Sequence, residues 1–135
     1  MPPTVVVAVV EAPRGTFIKR RADGSIDFVS PLPCPWNYGS LPGTVGGDGD
    51  PVDAIVLGPR LPAGTRVTLP VVAEVDFVDE DLLDTKLVLS ARPLTALDRA
   101  GITAFFVAYA AAKRGLARAR GRKGRIAFRG IRVAG

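Results

Sequence analysis

Residues 95–114, TALDRAGITAFFVAYAAAKR, are the one stretch of this 135-residue chain with a sustained helical period. Leu94, Leu97, Ile102, Phe105, Phe106 and Tyr109 recur at spacings of about 3.6 on one stripe, and Gly115 is the expected stop. Everything around it reads as short strands. Val5–Val10 is an unbroken apolar, β-branched run, and Thr16–Arg21 and Ser25–Ser30 form a hairpin across Ala22-Asp23-Gly24. Val52–Leu57, Arg66–Phe77, Lys86–Leu89, Arg125–Phe128 and Ile131–Val133 supply the rest, with Pro70 marking an edge or a bulge. Residues 31–51 hold five prolines and five glycines and are expected to be an irregular connection, the usual place for a site. Many short strands against one principal helix near residues 95–114 predict a mainly β, α+β fold. The expected form is a small OB-like β-barrel, one domain over residues 1–135.

Composition narrows the chemistry. With no His and a single Cys, the chain cannot build a zinc finger, a Ser-His-Asp triad or a disulfide framework. A metal, if present, is a hard cation on oxygen ligands. The net charge of +5 conceals a strong segregation: residues 48–84 carry nine acidic and two basic side chains, whereas residues 85–135 carry twelve basic and one acidic. The apolar run nearest the N-terminus, Val5–Val10, is far short of the roughly 20 residues of a membrane helix, and no basic segment precedes it as in a signal peptide. A cytoplasmic protein is the expectation.

The central acids fall into two clusters, Asp48-Gly49-Asp50-Pro51-Val52-Asp53 and Asp79-Glu80-Asp81 through Asp84 to Lys86. In extended chain Asp48 and Asp50 share a side and Asp53 does not, but Pro51 can bend the backbone so that all three converge. Carboxylates brought together repel unless a cation neutralises them, and oxygen-only ligation suits Mg²⁺, Mn²⁺ or Ca²⁺. Each cluster alone reads equally as a solvated turn. Two of them, each near a strand end, favour a metal site.

Pro35-Trp36-Asn37-Tyr38-Gly39, then Leu41-Pro42-Gly43-Thr44, then DGDPVDA at 48–54, resemble the signature region of the soluble family I inorganic pyrophosphatases. Asp79-Glu80, Asp84 and Lys86 resemble that family's D-E-x-x-x-D-x-K segment, and Glu11-Ala12-Pro13-Arg14-Gly15 with Lys19 its E-x-P-R-G…K element. Phe105-Phe106 with Tyr109 is similar to the helix carrying its active-site tyrosine, and the likeness spans roughly residues 4–130. The resemblance implies Mg²⁺-dependent hydrolysis of inorganic pyrophosphate to two phosphates. It implies Asp48, Asp53, Asp79 and Asp84 as metal ligands and Asp50 as the group holding or deprotonating the attacking water. Lys19, Tyr38, Lys86 and Tyr109 match the substrate-binding positions, and Glu11 and Glu80 match supporting acids. It also implies a homo-oligomer, in bacteria often a hexamer.

The chain departs from the family pattern at four positions. Arg21 stands where an acid is usual, Phe28 where an arginine, Cys34 where an aromatic residue and Ala110 where a lysine. These leave a second reading open, a catalytically weakened relative that binds metal and phosphate without turnover. Cys34 reads as a small buried hydrophobe rather than a nucleophile. Seven cations lie among the thirteen residues 113–125, without aromatic residues to stack on bases. They read as a solvated helix end and loop, with nucleic-acid binding the alternative.

Overall fold

The computed structural model describes residues 4–16, 18–20, 23 and 25–134. Its elements run β1 (Val5–Ala12), β2 (Ile18–Arg20), β3 (Ile26–Val29), β4 (Asn37–Ser40), β5 (Asp53–Val56), β6 (Arg66–Asp79), β7 (Leu82–Leu83), β8 (Lys86–Leu89), α1 (Ala96–Ala119) and β9 (Ala127–Val133). The pairings β1–β4, β4–β5, β5–β8, β8–β6 and β6–β1 close a ring, all antiparallel except β5–β8. The fold is mostly β with one helix, as expected.

Strand β6 makes the closure possible. Its first half pairs with β1, from Val9↔Arg66 to Val5↔Pro70, and its second half pairs with β8 on one side and β9 on the other. Pro70 sits at that change of partner, and the register slips between Val71 and Ala73, the bulge a mid-strand proline leads one to expect. β2 and β3 pair as the expected hairpin. Of its predicted turn, Ala22 and Gly24 lie outside the described residues, as does Arg21.

Three local readings are corrected. The proline- and glycine-rich stretch is not wholly irregular, because Asn37–Ser40 forms β4 within it. The helix does not stop at Gly115 but runs to Ala119. Its true end is a Schellman arrangement: Gly121, at φ +67°, donates its N–H to the Arg118 carbonyl, and Arg122 donates to that of Ala117. Leu97 is 83% exposed and belongs to no buried stripe, whereas Ile102, Phe106, Tyr109 and Ala110 are buried.

The helix starts on a capping box. Thr95 Oγ1 accepts from the Asp98 N–H at 3.0 Å, while Asp98 Oδ2 accepts from the Thr95 N–H at 2.9 Å and from Arg92. Bonds from Arg92 and Thr95 hold the Asp98 carboxyl well below the ordinary carboxylate range. Its contribution is therefore present above pH about 4 and is lost as pH falls towards the depressed folded value. Thr95→Ala is expected to remove about 1 kcal/mol, read as a lowered midpoint in thermal melts at neutral pH.

The main core lies between α1 and the ring. Phe106 packs against Phe77 and Phe128 at centroid distances of 6.0 and 6.3 Å, and Phe105 meets Trp36 edge-on at 5.6 Å. A second apolar cluster, Ala8, Leu41, Ala54, Val56, Val71 and Leu89, fills another part of the sheet. Pinning α1 across the ring in this way leaves a cleft lined from the helix by Phe105, Phe106, Tyr109 and Lys113.

Candidate active site

The site is assembled by strand register. In the parallel β5–β8 pair Asp53 stands opposite Lys86, so the first residues of both strands present their side chains together. On β4 burial alternates with period two, which sends Tyr38 to the cleft while Asn37 and Gly39 face the other way. Asn37 is fully buried and ties the surrounding loops. Its Oδ1 accepts from the Arg14 and Leu61 N–H groups at 3.0 and 2.9 Å, and its Nδ2 donates to the Pro59 carbonyl at 2.8 Å.

The cleft has a volume of about 230 Å³ and is walled by Asp48, Asp50, Asp53, Asp79 and Asp84, by Lys19, Lys86 and Lys113, and by Tyr38 and Tyr109. At its centre is Asp53. Its Oδ1 accepts from Lys19 Nζ at 3.0 Å, and its Oδ2 accepts from the Tyr38 hydroxyl at 2.9 Å and Lys86 Nζ at 3.2 Å. Lys86 is only 2% exposed and also donates to Asp84 Oδ2 at 2.9 Å. Its ammonium lies 5.5 Å from the ring centroids of both Tyr38 and Phe77, which shield it from water.

This packing sets the protonation states. Burial alone would push the Asp53 carboxyl up, but Lys86 and Lys19 with their hydrogen bonds outweigh it and hold the group below its ordinary range. Asp84 goes the other way, raised by burial and by Asp53 despite Lys86. Burial lowers the Lys86 ammonium, yet the Asp53 and Asp84 charges prevail and raise it. Burial keeps the Tyr38 and Tyr109 phenols above their usual range, so both remain O–H donors at neutral pH.

The structure brings together nine of the eleven residues singled out in the sequence: Lys19, Tyr38, Asp48, Asp50, Asp53, Asp79, Asp84, Lys86 and Tyr109. Glu11 lies behind Lys19, with its Oε1 3.8 Å from Lys19 Nζ. Glu80 does not reach the cleft wall. It and Asp81 have φ of +48° and +71°, forming the tight turn between β6 and β7, and its carboxylate faces Arg122 at 3.6 Å. Cys34 does line the cleft, but burial raises its thiol to about 11, which makes it inert. Sequence reasoning missed Lys113, which was counted with the basic stretch. It follows Tyr109 by four residues, so helix geometry alone places both on one face.

A family model described as inorganic pyrophosphatase matches residues 8–100. The chain belongs to the inorganic pyrophosphatase family. Inorganic pyrophosphatase of Aeropyrum pernix is 36% identical over 105 residues, 71% of this chain and 58% of that protein. The Aquifex pyrophilus enzyme is 32% identical over 96 residues, 64% and 54% of the two chains. This pyrophosphatase-family chain thus spans little more than half the length of those relatives. The crystal structure of inorganic pyrophosphatase from Thermus thermophilus superposes with a TM-score of 0.76 at 28% identity, covering 98% of this chain and 87% of that one. The cleft residues of β1 to β8 fall inside the family match, while Tyr109 and Lys113 lie beyond its end at residue 100.

No helix of the described residues is long and apolar enough to cross a membrane.

Proposed function

We propose that residues 1–135 act as one pyrophosphatase-like domain that hydrolyses inorganic pyrophosphate to two phosphates with a divalent cation, Mg²⁺. The observation carrying this reading is the gathering of five aspartates, three lysines and two phenols around one cleft of a family member. Among the described residues no three acidic side chains group closely enough to hold a cation by themselves. Lysines stand between them: Lys86 holds Asp53 and Asp84, and Lys113 holds Asp79. That suits Mg²⁺, which is commonly bound through one or two carboxylates and completed by water and the substrate's phosphate oxygens. The donors are all oxygen, in keeping with a chain that has no His.

In this reading Asp48, Asp53, Asp79 and Asp84 would hold more than one metal ion, each through one or two of these carboxylates. When bound, the metal neutralises the substrate's charge and lowers the pKa of water. Asp50, exposed at the cleft wall, orients the attacking water and takes its proton. Lys19 and Lys86 offer ammonium groups to phosphate oxygens, and Tyr38 and Tyr109 donate from phenols that burial keeps protonated. Glu11 supports Lys19. Glu80 takes no part, since its carboxylate turns to Arg122. We extend the reading to a cytoplasmic homo-oligomer, a hexamer in the family's bacterial form.

Phosphate release from pyrophosphate is the test. Turnover is expected with Mg²⁺ and none above background once the cation is removed with EDTA. Calorimetric binding of Mg²⁺ and pyrophosphate without phosphate release would instead establish the weakened, binding-only reading. Retention on DNA or RNA at low salt, without turnover, would establish the nucleic-acid reading of residues 113–125.

A further inference from the structure

Lys113 is built into the cleft rather than into the basic surface that follows it. Its side chain is 18% exposed, its Nζ donates to Asp79 Oδ2, and the ammonium lies 5.6 Å from the Tyr109 ring centroid. Arg114, Arg118, Arg120, Arg122, Lys123 and Arg125, by contrast, are all exposed. A lysine folded along a phenol onto a carboxylate of a cleft that also holds Lys19 and Lys86 is placed to meet an anion there. One of its partners, Asp79, is a carboxylate that the proposed function assigns to the metal. A divalent cation held by Asp79 would repel an ammonium on the same carboxylate and so would loosen the lysine's hold there. The flexible four-carbon stem lets the ammonium swing without moving α1. Lys113 lines the same cleft in which a phosphate oxygen would be bound.

We propose that Lys113 is a substrate-binding residue held in reserve: it occupies Asp79 in the metal-free chain and passes to a pyrophosphate oxygen when the cation takes that carboxylate. The inference rests on the hydrolytic reading above. It also answers the alanine at position 110, since a cation supplied one turn further along the helix restores a positive charge beside Tyr109.

The experiment compares wild type with Lys113→Met, Lys113→Gln and Lys113→Arg, measuring Mg²⁺ affinity by calorimetry without substrate alongside KM and kcat for pyrophosphate. Both neutral variants are expected to raise KM about tenfold, the loss of one charge-assisted bond, while binding Mg²⁺ at least about threefold more tightly. Lys113→Arg should keep both values near wild type. A pin that merely fastens α1 to β6 would lower the thermal midpoint and leave KM and Mg²⁺ affinity unchanged. That result, with wild type active, overturns this inference alone. A wild type that releases no phosphate overturns it together with the hydrolytic reading. If Lys113→Met does not fold, the Gln and Arg variants decide by the same two measurements.

Discussion

Asp50→Asn is expected to lower kcat for pyrophosphate about a thousandfold and to leave the thermal midpoint almost unchanged, whereas Asp53→Asn should damage both. The difference comes from what each carboxylate touches. Asp50 is exposed at the cleft wall; the local turn is held by its backbone, whose N–H donates to Asp48 Oδ1 at 3.1 Å and whose carbonyl accepts from Gly46 at 2.7 Å. An amide side chain leaves those bonds in place and removes only the group that can accept a proton from water. Asp53 has a side chain 14% exposed and carries Lys19, Tyr38 and Lys86 at once. Its neutralisation leaves the buried Lys86 ammonium with Asp84 alone, and breaking a buried pair of this kind costs about 3 kcal/mol. Circular dichroism melts beside phosphate-release assays separate the two effects. Equal activity in wild type and Asp50→Asn would remove Asp50 from the mechanism.

The sign of the Asp53 effect with pH follows from the same contacts. Its folded carboxyl is depressed, so its stabilisation is complete above the unfolded value of about 4 and disappears as pH falls through the folded one. Lys86 is raised, so its share is complete below its unfolded value of about 10.4 and is lost only at still higher pH. Asp84, being raised, opposes Asp53 on the acid side. The Asp53 and Lys86 contributions are therefore both complete across the neutral range in which pyrophosphate hydrolysis would be assayed.

Much of this site was legible because its parts sit at strand ends in recognisable runs. DGDPVDA at 48–54 leads into β5, and Asp84 and Lys86 bracket the start of β8, so both clusters reach the cleft once those strands lie side by side. What escaped had physical causes. β4 is four residues long within a stretch dense in proline and glycine, and only pairing with β1 and β5 makes it a strand. Gly115 costs an exposed helix only about 1 kcal/mol, less than the Schellman end at Gly121 and the packing around it restore, so the helix continues through it. Glu80 was read by its neighbour Asp79, but a two-residue turn at positive φ sends it to the opposite side. Lys113 was hidden by six further cations, and the helix face it shares with Tyr109 was the available clue.

Gly39→Ala should abolish cooperative folding, or destabilise the chain by at least about 4 kcal/mol, although the change adds a single methyl group. A Cβ at position 39 would lie 1.9 Å from the Val9 carbonyl oxygen, 2.8 Å from its carbon and 3.1 Å from the Val10 Cα. All three atoms are backbone of β1, so no rotamer change can make room. Nor can β1 retreat easily, since it is held to β4 on one side and to β6 on the other, from Val9↔Arg66 to Val5↔Pro70. Relief requires opening the ring at β4, and Tyr38, adjacent in the chain, would leave Asp53 with it. Gly115→Ala is the matched control. A Cβ there meets nothing within 4 Å, and in an exposed helical position alanine should raise stability by roughly 0.5–1 kcal/mol. The same chemical change is thus expected to act with opposite sign at the two glycines. Denaturant melts of both variants measure it, and a Gly39→Ala midpoint within error of wild type would show that β1 and β4 do not approach as closely as the ring demands.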